Sequence, residues 1–397
     1  MEIKKGYKMT DVGVIPEDWE VKKIEPDLGR VKSGKRLPLG YFVIPNKNNH
    51  PYIRVIDMNM GYIDTSSIMY VAEEAYNYIE QYIITKDDIY ISVAGTLGLI
   101  GKIPEYLDGA NLTENANRIT EIKCDRDYLM YWLMSGYIQD CIKDSQTLGA
   151  QPKLAVYQIR DFLVALPQSV GEQQAIADAL TKVDNLIMSL SKVIEKKKLI
   201  KKGTMQKLLS GEVRLDGFDG EWEQKTIKDI AVVEKGELLI SSQYENGNIE
   251  VWAGGKVPAG LHNVANRAKN TITISASGAY AGFVSYHDCP IFATDCSTIS
   301  ESTDFDVKYL YYSLINIQDK IYEMQTGGAQ PHVHAKDIYP IELTMPPTKA
   351  EQTAIAKVLT TTDDEIEALE KERDKYKCIK QGMMQQLLTG KIRLICQ

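Results

Sequence analysis

Two stretches of the chain carry apolar side chains at alternating spacings of four and three residues. Ile176, Leu180, Val183, Ile187, Leu190 and Ile194 make the first stripe; Ile355, Leu359, Thr362, Ile366 and Leu369 make the second, with a threonine at one step. That period belongs to a helix with a narrow apolar seam. Each stretch opens on a capping-box pattern, Ser169-Val170-Gly171-Glu172 and Thr348-Lys349-Ala350-Glu351. The hydroxyl is expected to accept from the third amide while the glutamate reaches back to the cap amide. Each stretch stops at a glycine, Gly211 or Gly390, suited to a left-handed C-cap. A helix over roughly 171–210 would be ~60 Å long at 1.5 Å per residue. A seam of that length wants a partner helix, and the other copy has the matching register. Two equivalent copies pair most simply about a two-fold axis, which predicts an antiparallel coiled coil.

Outside these helices the pattern changes. Short β-rich runs at 88–93, 271–275 and 283–286 are broken by Gly, Asn and Pro, and helical stretches are predicted at 127–143 and 305–324. Strand and helix signals do not alternate regularly, which argues against a doubly wound dinucleotide-binding sheet. The expected fold class is α+β, with two mixed α/β domains in tandem and two long helices joining them.

Self-similarity gives this order its meaning. At an offset of 179 residues, 172–215 lies on 351–394 without a gap, about half the positions being identical. The same offset pairs Gly149-Ala150-Gln151-Pro152 with Gly328-Ala329-Gln330-Pro331 and Pro167 with Pro346. Further upstream the offset drifts. Ile89-Tyr90-Ile91-Ser92 with Gly95 resembles Ile272-Thr273-Ile274-Ser275 with Gly278, and Asp18-Trp19-Glu20 resembles Glu221-Trp222-Glu223. The predicted domains are 1–168, 169–215, 216–347 and 348–397: variable unit, helix, variable unit, helix.

Composition is that of a globular chain of 397 residues, 44% hydrophobic and 25% charged, which excludes disordered and collagen-like classes. The net charge of −8 argues mildly against a free-standing nucleic-acid binder. Its distribution weakens that objection. Residues 216–347 carry 18 acidic against 9 basic side chains, whereas 171–215 carry 9 basic against 5 acidic, with Lys196, Lys197, Lys198, Lys201 and Lys202 in one run. Arg30, Lys32, Lys35 and Arg36 cluster ahead of Tyr41, a candidate patch for positioning a phosphate backbone. The six cysteines fall in no zinc-ligand spacing, so reduced thiols and a cytoplasmic setting are expected. The first residues show no apolar signal core, and no run is long and apolar enough to predict a membrane span.

A search for catalytic patterns returns little. Gly29 to Arg36 approximates a phosphate-cradling loop, but Arg36 replaces the hydroxyl that would hold Mg²⁺ and Pro38 sits where a helix should begin. His332-Val333-His334 is half of a metal site at best, and its aligned partners are Lys153 and Ala155. His287-Asp288-Cys289 places a base beside a nucleophile, yet neighbours on a turn rarely converge on one substrate atom. No amino-methylation, nuclease or helicase motif stands out. The chain reads as non-catalytic, with neither cofactor nor metal expected.

The order variable domain, PxxxxEQxxIAxxLxxxDxxI helix, variable domain, second helix resembles the specificity subunit of type I restriction-modification systems. Pro167 to Ile187 and Pro346 to Ile366 carry the motif, and 13–24 and the helix ends LLSGEVRL and LLTGKIRL also look like that family. The resemblance implies two target recognition domains, each reading one half of a bipartite double-stranded DNA target in the major groove. It implies that the helices set the spacing between the halves and dock methyltransferase (modification) subunits, two of them, which carry S-adenosylmethionine and methylate adenine N6. A restriction subunit with ATP-driven translocation would join them. Because the variable units differ strongly, the target is expected to be asymmetric. Gln151, Lys153, Tyr157, Gln330, His332, His334 and Lys336 are candidates for DNA contact, although the two glutamines fit a purely structural turn equally well. Ser92, Gly95, Ser275 and Gly278 are expected to shape a repeated loop. Two other readings fit the pattern: a DNA-recognition adaptor of a type IIB-like system, and a coiled-coil scaffold that binds protein.

Overall fold

A computed structural model describes residues 5–145, 152–327 and 330–394 of the chain. Two compact units divide it, one made of Met1–Ser189 with Arg373–Gln397 and the other of Leu190–Glu372. Each long helix therefore contributes one segment to each unit. The first runs Val170–Ser210 and the second Lys349–Leu387.

The first unit is built on a four-stranded antiparallel sheet in the order Ile100–Gly101, Ile89–Ser92, Ala116–Thr120, Arg30–Ser33. A second sheet of five short strands contains one parallel pair, Pro51–Ile53 with Ala110–Leu112. A two-stranded ribbon, Glu20–Lys23 with Leu163–Leu166, closes the domain beside the helices. The core gathers Trp19, Ile89, Ile91, Tyr128 and Trp132 around Ile176, Ala177 and Leu180 from the start of the first long helix and Leu387 and Leu388 from the end of the second.

The second unit repeats this plan. Its four-stranded antiparallel sheet is ordered Val284–His287, Thr271–Ser275, Cys296–Ile299, Glu234–Lys235. The parallel pair is now Ile249–Trp252 with Phe292–Ala293, and the ribbon is Glu223–Thr226 with Glu342–Met345. Leu208 and Leu209 from the end of the first long helix and Ile355, Ala356 and Leu359 from the start of the second enter its core.

Within each unit the helix segments run antiparallel. In the first, Glu172 meets Arg393 and Asp184 meets Lys380, so one sequence rises as the other falls. In the second, Arg214 meets Glu351, Lys201 meets Asp363 and Lys197 meets Glu365. The predicted stripe is buried unevenly. Ile176, Leu180, Ile355 and Leu359 pack into the domain cores, Ile194 and Ile366 are buried, and Val183, Ile187, Leu190 and Leu369 are half-buried.

Two local expectations change. The helix predicted over 127–143 is two helices, Arg126–Leu133 and Gly136–Asp144, because the chain turns extended at Ser135 before the second one starts. The stretch over 305–324 also breaks, into Val307–Asn316 and Gln318–Glu323, at Ile317, whose φ of −113° and ψ of 22° leave the helical region. In the capping boxes, the Thr348 hydroxyl does accept from the Glu351 amide at 3.3 Å. Both glutamates, however, turn to arginines that follow the helix ends: Glu172 takes Arg393 at 2.5 and 2.8 Å, and Glu351 takes Arg214 at 2.9 and 2.7 Å. A bidentate guanidinium pair outweighs one amide bond to a carboxylate that is buried. Gly211 and Gly390 hold φ of +75° and +67°, the left-handed geometry expected of them, and Gly390 lies against Pro16 and Trp19 where a Cβ has no room.

Candidate nucleic-acid interface

Each unit carries a loop after its central strand, tied to the segment that leads into the long helix. In the first unit Ser92 Oγ accepts from the Leu99 amide at 2.8 Å and donates to the Thr96 carbonyl at 2.6 Å. Gly95 and Gly98 take φ of +78° and +73°. Ala94 bridges Lys153, and the Leu154 amide donates to Val93 O at 3.0 Å. In the second unit Gly278 and Gly282 take φ of +84° and +87°, Ser277 bridges His332, and the Val333 amide donates to Ala276 O at 3.0 Å. The serines and glycines thus shape the loops, and the lead-in segments add solvent-facing side chains beside them.

Those solvent-facing side chains differ between the units. The first presents exposed Lys153 and Tyr157, the latter 66% exposed on the short helix Val156–Arg160. The second presents exposed Gln330, His334 and Lys336 with half-buried His332, whose ring stacks on that of His334 at 5.6 Å. Gln151 lies outside the described residues. Four further groups join the second cluster that the sequence did not single out. Lys256 Nζ lies 4.9 Å from the centroid of the exposed Tyr280 ring, and Ser277 Oγ donates to Asp295. Lys256 sits in a Gly-Gly-Lys loop distant in sequence from His332, so spacing alone gave no signal for it.

The basic cluster of the first unit is less available than its sequence suggests. Strand Arg30–Ser33 pairs antiparallel with Ala116–Thr120, which brings Arg30 and Lys32 to Glu121 at 3.8 and 3.1 Å. Lys32 holds the Glu121 carboxyl below its ordinary range. Arg36 pairs with Glu114 at 2.6 Å, and Lys35 Nζ lies 5.5 Å from the Tyr82 ring. A phosphate would have to displace glutamates at three of the four positions. Exposed pairs of this kind are worth only ~0–1 kcal/mol, so exchange is inexpensive. In the basic run of the first long helix, Lys197, Lys198 and Lys201 pair with Glu365, Glu370 and Asp363 of the second.

No catalytic constellation assembles among the described residues. His287 is buried, accepts or donates one bond to Thr273 Oγ1 at 2.8 Å, and sits against Trp252 rather than beside Cys289. Burial pushes the Cys124 and Cys296 thiols up to about 12, so neither is poised as a nucleophile. No group of three or more metal-ligating side chains occurs among the described residues.

Burial also lowers the His287 pKa to about 4. The unfolded chain binds this proton at about 6.5, so between those values the unfolded state holds more protons. His287 therefore stabilises the fold fully above about pH 6.5, and this contribution is lost as pH falls toward 4. Urea unfolding at pH 7 and pH 4.5 is expected to show His287→Gln less stable at pH 7 but with a smaller acid-side decline, by up to ~3 kcal/mol. Parallel declines would refute the assignment.

Several scaffold contacts around the loops recur in both units. Tyr131 Oη donates to Asp184 at 2.8 Å and Tyr312 Oη to Asp363 at 2.7 Å. Lys380 covers the Tyr131 ring as Lys201 covers that of Tyr312, and Arg393 stacks on Trp19 as Arg214 stacks on Trp222. Residues 16–201 and 219–375 both match the type I restriction modification DNA specificity domain. The chain belongs to that family. It is 26% identical over 430 residues to the type I restriction enzyme specificity subunit assigned as MjaX in Methanocaldococcus jannaschii, covering 98% of this chain and 97% of the relative. It is 27% identical over 201 residues to the EcoBI specificity subunit of Escherichia coli, covering 45% and 41%. The fold matches the crystal structure of a type I restriction-modification S subunit from M. genitalium with a TM-score of 0.68 at 18% identity, over 98% of each chain. A chain from a type I system described for its complex assembly and conformational transition matches at 0.52 and 16%, over 95% and 99%. The duplicated helix-plus-domain plan is thus the family's. Among the described residues, no helix is long and apolar enough to cross a membrane.

Proposed function

We propose that this chain is the DNA-specificity subunit of a cytoplasmic type I restriction-modification complex. It reads a bipartite, asymmetric double-stranded target and catalyses no reaction itself. One observation carries the reading: the tyrosine–aspartate, lysine–tyrosine and arginine–tryptophan contacts of the scaffold recur in both units, while the exposed residues on equivalent loops differ. That is the arrangement expected of two readers built on one frame and given different texts. Lys153 and Tyr157 would face one half-site, and Gln330, His332, His334 and Lys336 the other, with Lys256 and Tyr280 beside them. Arg30, Lys32, Lys35 and Arg36 would position the phosphate backbone of the first half, and Gln151 belongs to the same lead-in segment. The long helices would hold the half-sites at a fixed separation and seat two methyltransferase subunits, which supply S-adenosylmethionine-dependent adenine methylation. A restriction subunit would complete the complex. The four predicted domains then correspond to recognition domain, helix, recognition domain, helix.

The net charge of −8 and the glutamates across the basic cluster make the isolated chain a poor competitor for phosphate. The chain alone is therefore expected to bind its target weakly, and together with its methyltransferase at least about 100-fold more tightly, a gain of the size expected when a partner's cations reach several phosphates. Gel-shift titration of the chain with and without copurified methyltransferase checks this. Failure of the assembled complex to protect any bipartite site would favour the scaffold reading instead.

A further inference from the structure

The two units differ at one buried position whose contacts can be read directly from the duplicate. Helices Arg126–Leu133 and Val307–Asn316 align residue for residue: Asp125 and Asp306 cap them through the amides of Tyr128 and Tyr309, and these tyrosines donate to Ala165 O and Thr344 O. Tyr131 and Tyr312 make the matching bonds to Asp184 and Asp363. The next residue is Trp132 in the first unit and Ser313 in the second.

The Trp132 indole is 2% exposed, and its Nε1 donates to the Leu163 carbonyl at 2.9 Å. Ser313 is also buried, but its hydroxyl turns back to Tyr309 O at 2.9 Å and fills nothing beyond it. At this place the second unit has an open cavity of about 510 Å³. Ser313, Leu209, Ile341, Leu343 and Glu342 are among the residues that line it, and exposed Lys320 and Asn316 stand at its rim. Glu342 is the counterpart of Leu163. Each opens the second strand of the two-stranded ribbon, opposite Thr226 and Lys23 respectively.

We propose that this cavity is a binding site for a planar bicyclic aromatic ring bearing one N–H donor, an indole-type ligand. The ring would take the place that Trp132 takes in the first unit, against the apolar Leu209, Ile341 and Leu343 and the polar Gln224 and Thr344, with its N–H directed at the Glu342 carbonyl and Lys320 near its outer edge. The first unit supplies the template: the same helix, ribbon and carbonyl already hold an indole there. The second unit keeps the frame and lacks the ring. This site is independent of the DNA-reading loops, and its test does not depend on the proposed function.

Calorimetric titration of the full chain with free indole is expected to give one site with a Kd below about 1 mM, within reach of a nine-atom ligand. 1-Methylindole, which lacks the donor, is expected to bind at least about fivefold more weakly, the value of one neutral hydrogen bond. Ser313→Trp is expected to abolish binding and to raise the Tm by about 2–4 °C through filling the cavity. If Ser313→Trp does not fold, Ser313→Phe and the comparison of the two ligands on the parent chain decide the matter. No heat at millimolar indole, equal binding of 1-methylindole, or undiminished binding by the filled variant would each overturn the proposal.

Discussion

Exchanging residues 216–347 for the corresponding segment of another family member is expected to change one half of the recognised DNA site and leave the other half as it was. The loops proposed to read DNA in the second unit all lie in that segment, including Ser277, Tyr280, Lys256, His332 and His334. The first unit's loops draw nothing from it. A single mismatched base pair costs about 1–3 kcal/mol in a specific complex, so a half-site read by several pairs loses at least a thousandfold in affinity when its reader is replaced. The donor segment must keep tyrosines equivalent to Tyr309 and Tyr312, which bond the ribbon and Asp363 of the second long helix. Competition binding with the two parental half-sites in all four combinations checks the outcome. A chimera that alters both halves, or neither, would contradict the division of labour.

The second large effect concerns stability. Glu351 is fully buried and Glu172 nearly so, and each depends on one arginine that follows the other helix's end. Arg214→Ala or Arg393→Ala leaves a buried carboxylate without its guanidinium, a change that costs about 3–5 kcal/mol. At about 2–4 °C per kcal/mol in units of this size, melting temperature should fall by roughly 6–20 °C. The neighbouring charge makes the two sites unequal. Arg393 also pairs with Asp18 at 2.7 and 2.9 Å and holds that carboxyl below its ordinary range, so its loss unpairs two acids. Replacing both partners, as in Arg214→Met with Glu351→Leu, removes the orphaned charge and should recover most of the loss. Thermal and urea unfolding of the singles and the double measure this directly. A double variant as unstable as Arg214→Ala would mean that the pair's worth lies elsewhere than in the buried charge.

Much of this architecture was legible because the chain states it twice. The four-three spacing located both long helices to within a residue or two at their starts, and Gly211 and Gly390 marked their ends. The antiparallel pairing followed from equivalence alone. What escaped was long-range. Arg214 and Arg393 look like ordinary residues at a helix end; they meet their glutamates across 137 and 221 residues of sequence. The local pattern of Glu172 and Glu351 spells a capping box, and a tertiary partner with two donors overrides it. The acidic partners of the basic cluster at 30–36 are hidden from the sequence for the same reason. These acids, Glu114 and Glu121, flank the strand Ala116–Thr120, about 80 to 90 residues later in the chain, and reach the cluster through a pairing that no local pattern reveals. The break at Ser135 was visible in principle, since Ser followed by Gly is a poor helix interior and a good cap. The candidate interface was half legible. The lead-in residues could be found from the repeat, while Lys256, Tyr280 and Asp295 come together only when the second unit folds.

The most direct test of the central claim is the methylome of cells carrying this chain with its cognate methyltransferase. Two differing readers on one repeated frame predict a split adenine-methylated motif whose halves are unlike and separated by a fixed unread spacer. A contiguous motif, a palindromic one, or methylation unchanged on deleting this chain would contradict that claim.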